Sequence, residues 1–424
     1  MIMTSSSSSK SVLIVGGGTF GTSTAYYLSL KPHTYKSITV LDRFPVPSQE
    51  AAGNDINKVI RNDYADPLYA RLTTEAMKLW ADPQGLYKDL YHRTGWLLGA
   101  AEASKDFVRQ SAETARKLGL VIAEPVSPEE IRGRWPWLTG KMAGWSTVWN
   151  PSAGWANARG ALTQLAQAAQ KNGVRYIDGP QGHVVQLLYG ENGTCVGAKA
   201  ADGSAYFADQ VILAAGAAAA TLLDLKGQLV AKGHTVGHIK CSPAETKKYQ
   251  EMPIVAHLEG GLIFPPQEDG ILKLGAMDFV TNFEGRSVSL PRYRSDNKGD
   301  GVPKPVEDKM RRWLTECLPE LADREWFETR ICWDADTPDL HFLIDKHPNH
   351  PGLHLAVGGS AHGFKMMPIV GKYVVESIED SLEDEARNKW RWRPGAKMQH
   401  ANPHPGPLLE LSEIPGFRKL PAKL

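Results

Sequence analysis

The chain has 424 residues, 42% hydrophobic and 22% charged, a length that accommodates two or three domain-sized units with a large buried core. Its 48 Lys and Arg residues nearly balance its 47 Asp and Glu residues, which argues against a protein that binds nucleic acid or a membrane surface. No apolar run is long enough to span a bilayer, so we expect no membrane association.

The termini and the cysteines indicate the cellular compartment. The polar N-terminal tail lacks the basic start and apolar stretch of a secretory signal. The four cysteines are scattered without metal-ligand spacing or a dense disulfide pattern, which fits a reducing compartment. The chain ends in Ala422-Lys-Leu424, which differs from the peroxisomal address Ser-Lys-Leu in one small residue. We expect a peroxisomal protein, or otherwise a cytoplasmic one.

A strand, a glycine-rich turn, a helix and a second strand are predicted at the start of the chain. The strands are expected at Ser11–Val15 and Ser37–Leu41, with the helix from about Thr22 to Leu30 between them. The order and the length are those of a βαβ unit that binds a dinucleotide. The turn and the end of the second strand supply the candidate residues Gly16, Gly18, Thr19, Phe20, Gly21, Asp42 and Arg43.

The glycines and the acid in this unit each have an expected role in binding a dinucleotide. Glycines permit a tight turn and let the backbone approach a pyrophosphate, whose charge the free N–H groups of the helix start would bind. Asp42 stands 21 residues after Gly21, where a carboxylate accepts hydrogen bonds from ribose hydroxyls. An acid there favours an unphosphorylated ribose, so this pattern predicts FAD or NAD and leaves the choice open.

The rest of the chain alternates between two patterns. The first pattern has helical spacing around residues 162–169 and a strand-rich stretch from 174 to 214. The second pattern, at residues 227–326, consists of strands with alternating side chains. It contains a Gly/Pro-rich stretch at 296–305, which we expect to be a surface loop. A last apolar strand at Leu353–Val357 is followed by another glycine turn and a helix. This pattern predicts a discontinuous cofactor domain with two inserted stretches that form a second domain.

Four segments carry a resemblance to a known family: Ala51–Lys58, Cys332–Asp339, Gly358–Lys365 and Trp390–Gly395. They resemble the monomeric sarcosine oxidase family and, within it, the fungal fructosyl amino acid oxidases, or amadoriases. The resemblance covers nearly the whole chain. It implies an α/β fold with a Rossmann-like FAD-binding domain of the glutathione-reductase type and an antiparallel-sheet α+β substrate domain. The active site is expected between these domains.

The domain boundaries follow the change of pattern along the chain. We expect a discontinuous FAD-binding domain at residues 10–90, 150–226 and 327–395. The substrate domain is expected at 91–149 and 227–326, and a C-terminal tail at 396–424.

The resemblance implies a covalently bound FAD. Family members hold the flavin through a thioether at the cysteine that corresponds to Cys332, which would otherwise be interpreted as a buried structural thiol. Lys58 occupies the family position over the flavin face opposite the substrate. Gly359 and Lys365 are further candidates for cofactor binding.

Three basic residues are the candidates for catalysis. The resemblance places Lys273 against the flavin, where a fixed cation promotes the reaction with O2, although the residues alone favour a solvent-facing lysine. Arg61 and Lys365 are expected to bind a substrate carboxylate, a task that suits a guanidinium fork. From the residues alone, Arg61 would equally lie on a solvated face.

The sequence departs from the amadoriases at two pocket positions. An acid follows the oxygen-activating lysine by four residues in that branch, whereas this chain has Met277 there with Asp278 beside it. A pocket tryptophan is replaced by His234. His234 and Asp278 are therefore the candidate substrate contacts, and the substrate range is the open part of this hypothesis.

The resemblance implies oxidation of a fructosyl amino acid, and by extension of a fructosyl dipeptide, to an imine that hydrolyses to glucosone and the free amine, with O2 reduced to H2O2. The alternatives are a sarcosine or pipecolate oxidase, a dehydrogenase that uses a protein electron acceptor, and a non-catalytic flavin binder. We expect a monomer. A metal site is not expected, since no acid or thiol completes the cluster of His341, His347, His350 and His354.

Overall fold

The fold is described from a computed structural model, which describes residues 9–404, 406–415 and 417. The predicted peroxisomal address at 422–424 and most of the polar N-terminal tail lie outside the described residues. No helix in the described part of the chain is long and apolar enough to cross a membrane.

The described helices are, in chain order, α1 (Thr19–Ser29), α2 (Pro67–Trp80), α3 (Lys105–Lys117), α4 (Pro128–Arg134), α5 (Ala158–Lys171), α6 (Gly179–Gly182), α7 (Pro243–Tyr249), α8 (Lys304–Cys317), α9 (Met367–Ile378) and α10 (Asp384–Trp390). The described strands are β1 (Lys10–Val15), β2 (Tyr35–Leu41), β3 (Lys58–Ile60), β4 (Tyr91–His92), β5 (Trp96–Ala100), β6 (Glu124–Pro125), β7 (Ser146–Asn150), β8 (Gly154–Ala156), β9 (Arg175–Ile177), β10 (Val184–Tyr189), β11 (Cys195–Ala200), β12 (Ala205–Phe207), β13 (Gln210–Leu213), β14 (Val230–Lys240), β15 (Ile254–His257), β16 (Gly261–Ile263), β17 (Ile271–Thr281), β18 (Trp326–Asp336), β19 (Leu343–Lys346), β20 (Leu353–Val357) and β21 (Leu408–Glu410).

The first of two compact units contains the described residues up to Asp55, Ala158–Leu229 and Ala335–Ala396. Its main sheet has the strand order β19-β20-β13-β1-β2-β9. Neighbours from β20 to β9 pair in parallel, and β19 pairs antiparallel at the edge. The apolar runs of β1, β13 and β20 are buried, as in parallel sheets covered by helices on both faces. The predicted Rossmann-like α/β fold is confirmed.

Helix α1 is anchored in this unit by a small polar contact. Ser23 Oγ donates a hydrogen bond to the carbonyl oxygen of Met367 at 2.7 Å, and the Gly371 N–H donates to Ser23 Oγ at 2.9 Å. A Cβ on Gly371 would lie 2.2 Å from backbone atoms of Ser23, so α1 and α9 cross at a distance that only glycine permits. This contact fixes the helix whose N-terminus follows the glycine turn.

The second unit contains Ile56–Asn157, Val230–Asp334 and the described residues from Lys397 onward. Its largest sheet has the order β18-β14-β17-β16-β15-β5-β7-β6, with β21 also paired to β17. Most neighbours are antiparallel, which confirms the predicted antiparallel-sheet domain. Helix α8 packs on β17, and the core between them includes Leu272, Leu274, Met310, Trp313 and Leu314.

The unit boundaries differ from the predicted domain boundaries. Residues 56–90, predicted to belong to the FAD-binding domain, lie in the second unit because β3 and β4 both pair with β8. Residues 327–334 lie there too, in β18 at the edge of the large sheet. The segment predicted to be a C-terminal tail contributes β21, which pairs in parallel with β17. The functional roles assigned to the two domains stay predictions.

Candidate functional site

The turn between β1 and α1 can be built only with glycine at two positions. Gly16 has φ +106°, in the left-handed region, and a Cβ there would lie 2.5 Å from the Ala214 carbonyl oxygen. A Cβ on Gly21 would lie 1.8 Å from the carbonyl oxygen of Gly16. A side chain at Gly16 or Gly21 would force the backbone segments apart. These two glycines therefore permit the tight turn and the close packing of α1.

The start of α1 fits a diphosphate. Gly18 is the N-cap residue, and no side chain caps the helix there. A Cβ on Gly18 would meet only the Cβ of Ala51, at 3.6 Å, so the space beside the turn is open. Thr19 and Phe20 form the first turn, whose N–H groups lack intrahelical partners and favour an anion. Open space beside polar N–H groups is what the pyrophosphate of FAD requires.

Asp42 lies next to this turn, at the end of β2. Its Oδ2 accepts a hydrogen bond from the Gly17 N–H at 2.8 Å, and its Oδ1 accepts one from the Phe44 N–H at 3.0 Å. Burial raises the pKa of the carboxyl group, while these hydrogen bonds oppose the shift. Arg43 lies over the neighbouring Phe44 ring, with its guanidinium carbon 5.1 Å from the ring centre. That Asp42 binds ribose stays a prediction, which its position at the strand end supports.

A second glycine turn follows β20, and Ser360 holds it in shape. Ser360 has φ +48°, and its Oγ donates to the carbonyl oxygen of Gly358 at 3.0 Å and accepts from the Thr337 N–H at 3.1 Å. Gly359 lies inside this turn. The Thr337 N–H is thus held by the turn, which connects the segment that ends at Asp339 with the one that begins at Gly358.

Lys365 lies just after this turn, in the 3₁₀ segment Phe364–Met366. Its side chain is buried, with 6% of the residue exposed, and Nζ donates to the carbonyl oxygen of His362 at 3.3 Å. An ordinary surface lysine is therefore excluded, since a buried ammonium group is rare without a function or a partner.

Lys273 is buried in the second unit. It lies on β17 with 5% of the residue exposed, so the expectation of a solvent-facing lysine, drawn from the residues alone, is wrong. Its Nζ donates to the carbonyl oxygen of Asn57 at 2.7 Å and lies 4.7 Å from the centre of the Phe264 ring. The cation is thus fixed in one place, which is what electrostatic stabilisation of a developing negative charge requires.

Arg61 is also buried, with 8% of the residue exposed, so a solvated face is excluded. Its Nη1 donates to the carbonyl oxygen of Asp63. The guanidinium carbon lies 4.9 to 5.7 Å from the ring centres of Tyr64, Trp96 and Phe107. A guanidinium group among aromatic rings is weakly hydrated, which favours the binding of a carboxylate.

His234 lies on β14 directly opposite Phe279 of β17, with the ring centres 4.6 Å apart. Its Nε2 lies 3.5 Å from Asp334 Oδ2. Burial, followed by the charges of three nearby lysines, holds the pKa of His234 well below its ordinary value. These lysines are Lys232, Lys58 and Lys273. The fold therefore brings together three predicted site residues, Lys58, His234 and Lys273, and adds Lys232.

Met277 and Asp278 occupy an irregularity in β17. His234 pairs with Phe279 and Val236 pairs with Gly275, so residues 276–278 of β17 stand opposite one residue of β14. Asp278 forms an ion pair with Lys309 of α8 at 2.5 Å, while Met277 is a buried apolar side chain. The carboxylate proposed to contact a substrate is thus already engaged by a lysine.

Cys332 differs from the other three cysteines in accessibility. Cys195, Cys241 and Cys317 are buried, and burial raises the pKa of each, that of Cys241 to about 11. Cys332 on β18 is partly exposed. A buried, inert thiol is therefore the correct description of three cysteines and not of Cys332.

The candidate residues fall into two sets, one in each unit. The first unit holds Gly16, Gly18, Thr19, Phe20, Gly21, Asp42, Arg43, Gly359 and Lys365. The second holds Lys58, Arg61, His234, Lys273, Asp278 and Cys332. Sequence reasoning missed Lys232, although its spacing of two residues from His234 on a strand places both on one face.

Sequence and structure comparisons agree on the kind of protein this chain is similar to. Residues 11–377 match the family model described as FAD dependent oxidoreductase. The chain is 34% identical to an L-saccharopine oxidase of Schizosaccharomyces pombe, over 92% of this chain and 94% of that protein. It is 26% identical to a monomeric sarcosine oxidase of a Bacillus species, over 85% and 90% of the two chains. The crystal structure of the fructosamine oxidase Amadoriase II from Aspergillus fumigatus, in complex with FSA, superimposes with a TM-score of 0.87, 34% identity and 98% coverage of each chain.

Proposed function

Because the chain belongs to the FAD dependent oxidoreductase family, we propose that it oxidises Amadori products, namely fructosyl amino acids and, by extension, fructosyl dipeptides. At a coarser level it is an FAD-dependent amine oxidase of the amadoriase and sarcosine oxidase type, acting on CH–NH groups. The likeness to a fructosamine oxidase over 98% of both chains is the observation that carries the substrate proposal.

When bound, FAD would supply two-electron redox chemistry: a hydride from the carbon next to the amine nitrogen would reduce it, and O2 would take up both electrons to give H2O2. The glycine turn, the open start of α1 and Asp42 fit its diphosphate and ribose. The oxidised substrate is an imine, and water hydrolyses it to glucosone and the free amino acid or peptide. We assign no general base, because an amine that binds in its neutral form needs none.

Arg61 is proposed to bind the α-carboxylate of the substrate. Its guanidinium is held by the Asp63 carbonyl oxygen and surrounded by aromatic rings, so little rotamer entropy is lost when a carboxylate binds. The same role for Lys365 rests on the family resemblance and on its burial. A fixed carboxylate orients the C–H bond that reacts, and such orientation accounts for much of the rate.

Lys273 is proposed to promote the reaction with O2. The Asn57 carbonyl oxygen holds its Nζ, so a positive charge stands in one place before any negative charge develops on oxygen. Preorganised charge of this kind is worth more in a buried site than in water. Cys332 is proposed to attach the flavin covalently, and its partial exposure supports this role.

The proposal is tested by mixing the yellow protein anaerobically with fructosyl-valine or fructosyl-valyl-histidine. Loss of the oxidised-flavin absorbance, followed by H2O2 on admission of air, is the expected result. Sarcosine and pipecolate serve as comparison substrates. A clear preference for sarcosine or pipecolate would replace the Amadori proposal, and a flavin that no secondary amine reduces would exclude amine oxidation altogether.

A second candidate function is oxidation of an amino acid whose amine carries a carboxyalkyl group in place of a sugar. Two observations favour it: the 34% identity to a saccharopine oxidase over 92% of the chain, and the replacement of the amadoriase pocket acid by Met277. Saccharopine therefore belongs in the same anaerobic assay as the fructosyl amino acids.

We further propose that the enzyme is peroxisomal, because its ending resembles the import address and its predicted product is H2O2. Microscopy of a fluorescent fusion with a free C-terminus, compared with one that lacks the last three residues, tests this proposal. A cytosolic signal from both fusions would contradict it.

A further inference from the structure

Arg61 and Asp63 stand two residues apart in the segment after β3, and their side chains do not pair. The Arg61 Nη1 donates a hydrogen bond to the main-chain carbonyl oxygen of Asp63. Of the residues that the structure describes, no acid has an oxygen within 4.0 Å of the Arg61 guanidinium nitrogens. A buried guanidinium group usually has a carboxylate partner, so the separation of these two charges needs a cause.

The amide of Asn150 holds the Asp63 carboxylate. Its Nδ2 lies 3.0 Å from both Asp63 oxygens, and the residue is fully buried, with 0% exposed. On its other side, Oδ1 accepts hydrogen bonds from the Ser152 N–H at 2.9 Å and from Ser152 Oγ at 2.6 Å. A backbone N–H can only donate, so the amide oxygen must face Ser152 and Nδ2 must face Asp63. Hydrogen bonds at both ends therefore fix the amide in one orientation.

The sheet gives this amide its position. Asn150 ends β7, where it pairs with Trp96 of β5. The Trp96 ring centre lies 5.6 Å from the Arg61 guanidinium carbon. One pair of strands thus supplies both the ring beside the guanidinium group and the amide that holds the carboxylate.

The two charges interact although they do not pair. Partial burial raises the pKa of Asp63, whereas the positive charge of Arg61 and the hydrogen bond from Asn150 oppose this shift. Opposite charges in a partly buried place attract strongly, and a carboxylate that could turn would form a direct, charge-assisted hydrogen bond with Arg61. That bond would occupy N–H groups that a ligand carboxylate needs.

We propose that Asn150 is a positioning residue that keeps the Asp63 carboxylate off Arg61 and so leaves the guanidinium group open to the α-carboxylate of the substrate. This inference rests on the proposed function, in which Arg61 binds that carboxylate. Without the amide, Asp63 turns to Arg61 and competes with the substrate. Without the Asp63 charge there is no competitor, and the amide is no longer needed for binding.

The experiment compares Asn150→Leu, Asp63→Asn and the double variant with the natural holoenzyme. The dependence of anaerobic flavin reduction on the concentration of fructosyl-valine or saccharopine, which both carry an α-carboxylate, gives an apparent Kd and a limiting rate. In Asn150→Leu the Kd should rise by about tenfold or more, because a charge-assisted hydrogen bond must be broken first, while the limiting rate changes less than about threefold. Asp63→Asn should bind at least as tightly as the natural protein, and the double variant should bind as Asp63→Asn does. Asp323→Asn, which removes an exposed acid of the same unit, is the matched control.

The double variant separates positioning of Asp63 from mere support of the strand. If Asn150→Leu weakened binding only by disturbing β7, removal of the Asp63 charge would not restore the affinity, and the two effects would add. Such additivity, an unchanged Kd in Asn150→Leu, or a Kd that rises in Asp63→Asn would overturn the proposal. The last of these measurements does not depend on the folding of Asn150→Leu.

A ligand that is not oxidised provides a measurement independent of turnover. N-acetylvaline keeps the α-carboxylate but has an amide in place of the amine, so calorimetry can measure its binding. Its Kd should follow the same pattern across the variants, whereas uncharged N-acetylvalinamide should bind equally to all of them. Equal N-acetylvaline affinities in all variants would overturn the role of Asn150. If instead no amine reduces the flavin of the natural protein, the proposed function fails, while N-acetylvaline binding still decides whether Asn150 controls access to Arg61.

Discussion

Arg393 and Asp339 form a bidentate ion pair, in which Arg393 Nε donates to Asp339 Oδ2 at 2.6 Å and Nη2 donates to Oδ1 at 2.8 Å. Both side chains are largely buried, with 11% and 7% exposed. The pair joins two of the segments that carry the family resemblance, the one that begins at Cys332 and the one that ends at Gly395. Thr337 Oγ1 donates to Asp339 Oδ1 as well, so the pair also fixes the segment against which the Ser360 turn is held.

Breaking this pair should destabilise the fold strongly. Burial raises the pKa of Asp339, but the hydrogen bonds and charge of Arg393 more than offset it and leave the pKa below its ordinary value. A depressed folded-state pKa means that the stabilisation is present above the unfolded value, about 3.9, and is lost as the pH falls below it. Arg393→Met leaves a buried carboxylate without its partner and should cost about 3 kcal/mol or more at pH 7, measured by urea unfolding.

The exposed pair Lys346–Asp380 provides the control for this experiment. Its side chains are 51% and 77% exposed, so Lys346→Met should change the free energy of unfolding by less than about 1 kcal/mol. Equal effects of the two substitutions would show that burial does not strengthen the Arg393–Asp339 pair.

His354 should make the fold sensitive to mild acid. It is fully buried in β20, and neither ring nitrogen has a hydrogen-bond partner among the described residues. Burial, with the charge of Lys346, lowers the pKa of His354 to about 3. The folded state therefore resists protonation, and stability present above the unfolded pKa, about 6.5, is lost as the pH falls toward 3, by roughly 1.4 kcal/mol per pH unit.

Substituting leucine for His354 should remove that part of the acid sensitivity. Urea unfolding of His354→Leu at pH 8, 6 and 5 should show a shallower loss of stability than the natural protein shows. His33→Leu, at an exposed position, is the control and should keep the natural slope. An unchanged slope in His354→Leu would assign the acid sensitivity to other groups.

Local elements were predicted well because their signals are local. The strands β1, β2 and β20 and the glycine turn before α1 were expected close to where they lie, since apolar character, length and glycine spacing all agree. Pairing between distant segments could not be predicted in the same way. β3 follows Asp42 closely in sequence, yet it pairs with β8, nearly a hundred residues later, and so joins the second unit.

The burial of charged side chains was the second feature that could not be predicted from the sequence. Strand alternation correctly separates Lys273 from Leu272 and Leu274, but it does not tell whether the second face of a strand is covered. In the structure all three are buried, because β17 lies inside its sheet and is covered on both faces. Spacing could not predict either that Asp339 pairs with Arg393, which lies 54 residues further along the chain.

Replacing Lys273 with methionine should separate the two halves of the reaction. Flavin reduction by an amine under anaerobic conditions should persist in Lys273→Met, whereas reoxidation by O2 should slow by about 10²-fold or more, as when one preorganised charge is removed from a buried site. Stopped-flow absorbance measures both rates, and Lys240→Met is the control. Equal reoxidation rates in Lys273→Met and the natural protein would refute the role. If the natural protein itself reoxidises slowly in O2 but quickly with a protein or dye acceptor, it is a dehydrogenase.

Replacing Cys332 with alanine should release the flavin. Attachment needs an accessible thiol that can ionise, and of the four cysteines Cys332 is the one that is partly exposed. Acid-precipitated natural protein should stay yellow, whereas Cys332→Ala should leave its flavin in the supernatant. Cys317→Ala, which alters a buried thiol of the same unit, should keep the yellow pellet. A yellow pellet from Cys332→Ala would move the attachment to another residue, and a colourless pellet from the natural protein would mean that the flavin is bound without a covalent bond.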